Sequence, residues 1–110
     1  MSDQIDPHKA IDFLLKNAEK YAHAKAQRVY LEEFRKSKKA LLMNQCDEKA
    51  ANAREQYAYS HPEYLEVIEG YRAAVEVEET LKWQLIGAQL RVEVYRTQEA
   101  SNRAMDRTMR

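Results

Sequence analysis

Cations interleaved with aromatic rings are the residues in this chain whose types and spacing suggest chemistry most directly. Lys16, Lys20, Lys25, Arg28, Arg35, Lys36, Lys38 and Lys39 fall within one stretch, with Tyr21, Tyr30 and Phe34 among them. Phosphates attract such cations and unstacked bases lie on such rings, which is how single-stranded nucleic acid is held. Arg91, Arg96, Arg103, Arg107 and Arg110 add a second, looser basic run. The candidate contacts for a nucleic-acid or protein partner are therefore Lys16, Lys20, Arg28, Arg35, Lys36, Lys39, Arg96 and Arg103. A plainer reading competes with this one. Residues 62 to 81 carry Glu63, Glu66, Glu69, Glu76, Glu78 and Glu79 against Arg72 alone, so folding the chain back would neutralise the basic stretch.

Catalytic and metal-binding patterns are sparse. The sequence has no Gly-rich phosphate loop, no GxSxG, no CxxC and no HExxH. His8, His23 and His61 fall on separate stretches; Glu19 with His23 and His8 with Asp12 share helix faces at i,i+4, a spacing that solvated surface side chains also produce. The paired Glu-x-x-His of a di-iron bundle is absent. No metal or other cofactor is expected. Ala10-Ile11-Asp12-Phe13-Leu14-Leu15 faintly resembles the first helix of small chorismate-mutase-type enzymes, with Arg28, Lys39 and Gln84 as conceivable ligands. Those enzymes carry an arginine near the start of that helix, whereas the first arginine here is Arg28. An enzyme therefore ranks third among the functional readings.

The elements that must position these groups are helices. Gly70, Gly87, Pro7 and Pro62 are the only glycines and prolines, too few for a fold rich in tight turns. Asp6-Pro7 reads as a helix start, because Asp caps free N–H groups and Pro suits the first helical position. Apolar residues at Ile11, Leu14, Leu15, Ala18, Tyr21, Ala22, Val29 and Phe34 form a helical stripe that thins near Lys25 and Arg28. A helix over about 7–44 follows, then either its continuation or a short helix over 47–59 capped by Asp47. Ser60-His61-Pro62-Glu63 is the firm break, with Ser60 or His61 capping a helix over about 62–105. Residues 1–6 and 106–110 read as tails around one helical domain, 7–105.

Counting from Tyr64, the last helix sets Tyr64, Tyr71, Glu78, Leu85, Val92 and Glu99 in one heptad column. Val67, Ala74, Leu81, Ala88, Tyr95 and Asn102 fall in the other. The fold class is thus all-α, a long antiparallel helical hairpin packing as an oligomeric helical bundle. Self-association is expected because the apolar stripes are wider than one seam, with a dimer first and Ile68, Val75, Trp83, Leu85, Val92 and Tyr95 as its candidate interface. Lys plus Arg and Asp plus Glu stand at 18 each, which argues against a dedicated nucleic-acid coat or a polybasic membrane binder. No apolar run nears the roughly 20 residues of a membrane span, and residues 1–7 lack the pattern of a signal peptide. A lone Cys46 fits a reduced, cytoplasmic protein.

The run Leu90-Arg91-Val92-Glu93-Val94-Tyr95-Arg96-Thr97-Gln98-Glu99-Ala100-Ser101-Asn102-Arg103 resembles the end of a family of small helical phage and prophage proteins. Tyr59-Ser60-His61-Pro62-Glu63-Tyr64 and Glu78-Glu79-Thr80-Leu81-Lys82-Trp83 are similar to it too, so the resemblance covers most of residues 40 to 105. That family is largely uncharacterised and often encoded near recombination and single-strand DNA-handling genes. The resemblance implies a setting in DNA metabolism and brings no catalytic residues. The leading expectation is a non-enzymatic accessory protein of phage origin, binding a protein or single-stranded DNA partner. A purely structural or protein-interaction bundle is the alternative.

Overall fold

A computed structural model describes residues 4–109. The expected tails fall partly outside that range, as does Arg110. Three helices follow one another: α1, Pro7–Gln45; α2, Ala51–Ser60; and α3, Pro62–Thr108. No strand occurs among the described residues.

Local chemistry sets these ends. Asp6 Oδ1 accepts hydrogen bonds from the backbone N–H of His8 (2.9 Å) and Lys9 (3.3 Å), so it caps α1. At the start of α3 the cap is His61, whose Nδ1 accepts from the Glu63 N–H at 3.1 Å; Ser60 instead donates to Gln56 O at 2.7 Å. Between α1 and α2 the chain leaves the helix at residues 46–50. Asp47 does not cap the short helix: its N-cap is Ala50, with no side-chain cap bond. The break is supported from the other side, because Arg54 Nε donates to Met43 O at 3.1 Å, beside the Cys46 N–H at 3.2 Å, and so ties α2 to the end of α1. α3 continues to Thr108, slightly past the expected end.

Contacts divide the chain into two compact units, a central one of Ala22–Glu79 and a terminal one of Met1–Tyr21 with Thr80–Arg110. In the central unit α1 and α3 run antiparallel, since Arg28 meets Glu78, Arg35 meets Tyr71 and Lys38 meets Glu63. The seam residues of α1 here are Ala24, Arg28, Leu31, Arg35, Lys38 and Leu42, all buried or half-buried and spaced by fours and threes. Facing them on α3 are Tyr64, Val67, Tyr71, Ala74 and Glu78, the expected heptad columns. α2 closes one end, where Leu42, Ala58 and Tyr64 form a buried cluster with Met43 and Ile68 against it. Among the described residues Leu42 is the one large side chain with no exposure at all.

In the terminal unit Ala10, Leu14, Asn17 and Tyr21 of α1 are the less exposed positions, and Leu81, Leu85, Ala88, Val92 and Tyr95 of α3 continue the heptad columns. One groove of the unit is lined by both Ala10 with Phe13 and Gln84 with Ala88, and another by Ile5 with Tyr95, so the helices are antiparallel here too. Ala10 and Ala88 are buried, which lets the backbones approach closely but hides little apolar area.

Candidate interaction surface

Three of the eight candidate cations belong to the packing of the central unit. Arg28 sits in the seam and grips Glu78 with two hydrogen bonds, Nε to Oε1 at 2.6 Å and Nη2 to Oε2 at 3.1 Å. Its Nη1 donates to Glu32 at 2.9 Å. The bidentate bond to Glu78, above all, holds the Arg28 guanidinium protonated more firmly than an ordinary arginine. Glu78 is itself only 6% exposed, so its carboxylate is withdrawn from water while Arg28 stays half-buried beside it.

Arg35 lies 5.5 Å from the Tyr71 ring centroid, a cation–π contact across the seam. Lys39 reaches Glu55 at 3.4 Å and stands 4.6 Å from the Tyr59 ring centroid. Its ammonium is held above the usual lysine range, chiefly by the Tyr59 hydroxyl and then by Glu55. Lys38, beside it, bonds Glu63 at 3.1 Å and pulls that carboxyl below its ordinary value. The neutralisation of the basic stretch by α2 and α3 is therefore an observed property of the central unit.

The other five candidates are exposed. Lys36 pairs with Glu33 and Arg96 with Glu93, each within its own helix. Lys16, Lys20 and Arg103 make no ion pair among the described residues. The terminal unit that holds these three carries eight Lys or Arg against six Asp or Glu among its described residues. No three His, Cys, Asp or Glu residues converge as metal ligands among the described residues. Of the conceivable enzyme ligands, Arg28 and Lys39 are held by separate carboxylates, and Gln84 is exposed on the terminal unit.

The candidate interface residues also divide. Leu85, Val92 and Tyr95 are half-buried on the α3 seam, and Ile68 packs against the Leu42 cluster. Val75 is half-buried, while Trp83 is 62% exposed with Lys82 near its ring.

A different apolar surface emerges in the central unit. Residues four positions after a seam residue flank the seam on one side, and residues just before it flank the other. Lys39 and Ile68 mark the first flank, and α2 covers it at the Leu42 end. The second flank carries Phe34 and Leu41 on α1 and Gly70 and Val77 on α3. α2 does not reach it: Leu41 and Val77 are just over half exposed. Tyr30 extends this flank, its ring stacked on Phe34 with centroids 5.8 Å apart and planes inclined by 10°. Gly70 faces open space, since a Cβ there would meet nothing within 4 Å. A helix-interior glycine costs about 1 kcal/mol relative to alanine, and no neighbour in the chain requires one here. In the sequence Phe34 stands both in the apolar stripe and among the rings of the basic stretch, neither of which marks this flank. The signal that exposes the flank is the seven-residue spacing of Leu14, Tyr21, Arg28, Arg35 and Leu42, which fixes the seam whatever the chemistry of its occupants.

No helix among the described residues is long and apolar enough to cross a membrane. No family model, curated protein or solved structure matches the chain.

Proposed function

We propose that the protein is a non-enzymatic helical interaction module that self-associates and docks a protein partner. One observation carries this reading. Arg28, Arg35, Lys38 and Lys39 are engaged inside the chain, whereas Tyr30, Leu41, Leu65, Val77, Trp83 and Leu90 remain exposed apolar groups. Contact of apolar side chains is what that surface can gain from a partner. The resemblance to small phage and prophage proteins supports a cytoplasmic role in DNA metabolism as the setting.

Single-stranded DNA is the second reading, favoured by Lys16, Lys20 and Arg103, which have no ion pair among the described residues. Light scattering with and without a short single-stranded oligonucleotide separates the two. A module of the proposed kind keeps its mass when the oligonucleotide is added at moderate salt. A complex that gains the oligonucleotide's mass, with Lys16→Gln/Lys20→Gln abolishing the gain, would replace the first reading by the second.

A further inference from the structure

We propose that His61, the one residue between α2 and α3, is a proton-operated latch that closes the junction of the two helices when neutral and loosens it when protonated. Several bonds converge on this residue. Its backbone N–H donates to Ala58 O at 3.2 Å and so ends α2. Its carbonyl accepts from the N–H groups of Tyr64 at 3.0 Å and Leu65 at 3.1 Å. Its side chain caps α3, because Nδ1 accepts the Glu63 N–H at 3.1 Å. Ala58 and Tyr64, three residues to either side, are both buried with Leu42. The angle held at His61 therefore sets both helices on the core cluster of the central unit.

The cap fixes the protonation state of the ring. An imidazole nitrogen accepts a hydrogen bond only through a bare lone pair, so Nδ1 carries no proton and the single proton of the neutral ring is on Nε2. The second contact of the ring agrees, since Nε2 faces Glu63 Oε2 at 3.7 Å. One residue thus meets both nitrogens, with its N–H at one and its carboxylate at the other. Serine, threonine, aspartate and asparagine are the usual caps, and they keep their acceptor between about pH 5 and 8. Histidine does not. A proton on Nδ1 sets two donors against each other, so the ring has to turn away and the Glu63 N–H loses its cap.

Charges on the three neighbouring helices do not undo this. From α3 the positive N-terminal end repels an imidazolium, while the Glu63 carboxylate attracts it. That carboxylate stays ionised throughout the range, since Lys38 holds it below its ordinary value. From α1, however, Lys38 already bonds it at 3.1 Å, so an imidazolium competes with the cation that joins α1 to α3. From α2 the Tyr57 ring lies 5.5 Å from the His61 ring, inclined by 66°, a contact that a turned imidazole gives up. The latch is therefore complete above the range in which histidine titrates and is lost below it.

The test uses the full chain as wild type, His61→Asn and His61→Ala, and does not depend on which partner the protein docks. Urea titrations at about pH 8 and about pH 5 give an unfolding constant for each protein. Asparagine caps a helix as well and does not titrate, and His8 and His23 are common to all three chains. The ratio of the wild-type constant to that of His61→Asn therefore isolates the latch. It is expected to rise about five-fold on acidification, the scale of a lost cap. His61→Ala, which has no cap at either pH, is expected about five-fold above His61→Asn throughout. Long-range proton–nitrogen NMR of the wild type is expected to place the His61 proton on Nε2 at about pH 8. A ratio that stays constant or falls on acidification overturns the latch, and so does a neutral His61 ring that carries its proton on Nδ1.

Discussion

The same pair of helices is held together in two different ways along its length. In the central unit the seam of α1 presents Arg28, Arg35 and Lys38, and α3 answers with Glu78, Tyr71 and Glu63, while α2 adds a fully buried Leu42. In the terminal unit the seam is made of alanines, half-buried aliphatic groups and the rings of Tyr21 and Tyr95. Its one polar occupant on α1, Asn17, bonds Phe13 O of its own helix at 2.9 Å. No ion pair joins α1 to α3 there among the described residues. Charged partners at matched heights specify which residues face which, since sliding the helices would draw buried Glu78 away from the bidentate grip of Arg28. Small apolar residues allow close approach but tolerate a shift. The central unit therefore fixes its own register by charge, whereas the seam of the terminal unit carries no such specification.

Core truncation tests this contrast with the largest effect. Leu42→Ala removes a fully buried large side chain and should destabilise the protein by about 2–5 kcal/mol in urea titrations. Val92→Ala, half-buried in the terminal unit, should cost about 1 kcal/mol. Equal losses would show that the two units share stability evenly, against the contrast drawn here.

Removing one charge at the seam comes next. Arg28→Met leaves Glu78 buried beside an apolar chain, and the melting midpoint should drop clearly, though by less than for Leu42→Ala. Arg28→Met with Glu78→Leu should recover most of that drop, because the cost lies in a buried carboxylate that has lost its bidentate bond to Arg28. Arg96→Gln, which breaks an exposed pair within α3, should leave the midpoint within error. If the double variant melts as low as the single one, Arg28 acts through its packing and not its charge.

Much of this arrangement was legible in the sequence. Asp6-Pro7 and His61-Pro62 marked the helix starts because their capping chemistry is local, and the heptad columns from Tyr64 landed on the seam because most of their occupants are apolar. The seam of α1 was harder to see. Three of its positions hold Arg28, Arg35 and Lys38, and an apolar stripe is interrupted wherever a cation fills the core position. For the same reason Arg28, Arg35 and Lys39 counted as candidate contacts for a partner, when their partners are Glu78, Tyr71 and Glu55 in the same chain. Asp47 looked like a cap by type, but the start of α2 is set by Arg54 reaching back to Met43, a contact between residues that only the fold brings together. The open flank at Gly70 depends on which side α2 covers, and no local pattern states that.

Hydrogen exchange sharpens the comparison further. Backbone amides of residues 64–78 should exchange more slowly than those of residues 81–95, by about ten-fold or more, because opening the central unit breaks cross-helix ion pairs and a buried cluster together. Uniform protection along α3 would mean that the helix opens only as a whole.

The smallest expected effect is in acid. Glu63 is hydrogen-bonded by Lys38, which holds its carboxyl below the ordinary value of 4.5, and Arg72 does the same for Glu69. A carboxylate whose pKa is lower in the folded state binds fewer protons there than in the unfolded chain. Its contribution is therefore complete above the ordinary value and is lost as pH falls through the folded one. Glu69 and Arg72 lie in a single helix, so that pair steadies α3 alone, whereas Glu63 and Lys38 tie α3 to α1. Stability should begin to decline slightly below about pH 4.5, because exposed pairs of this kind contribute little. Carbon-detected NMR of the Glu63 carboxyl should show a midpoint below 4.5 that moves up toward it in Lys38→Gln. A midpoint already at 4.5 in the wild type would remove Lys38–Glu63 from the contacts that set the register, leaving Arg28–Glu78 and Arg35–Tyr71 to fix it.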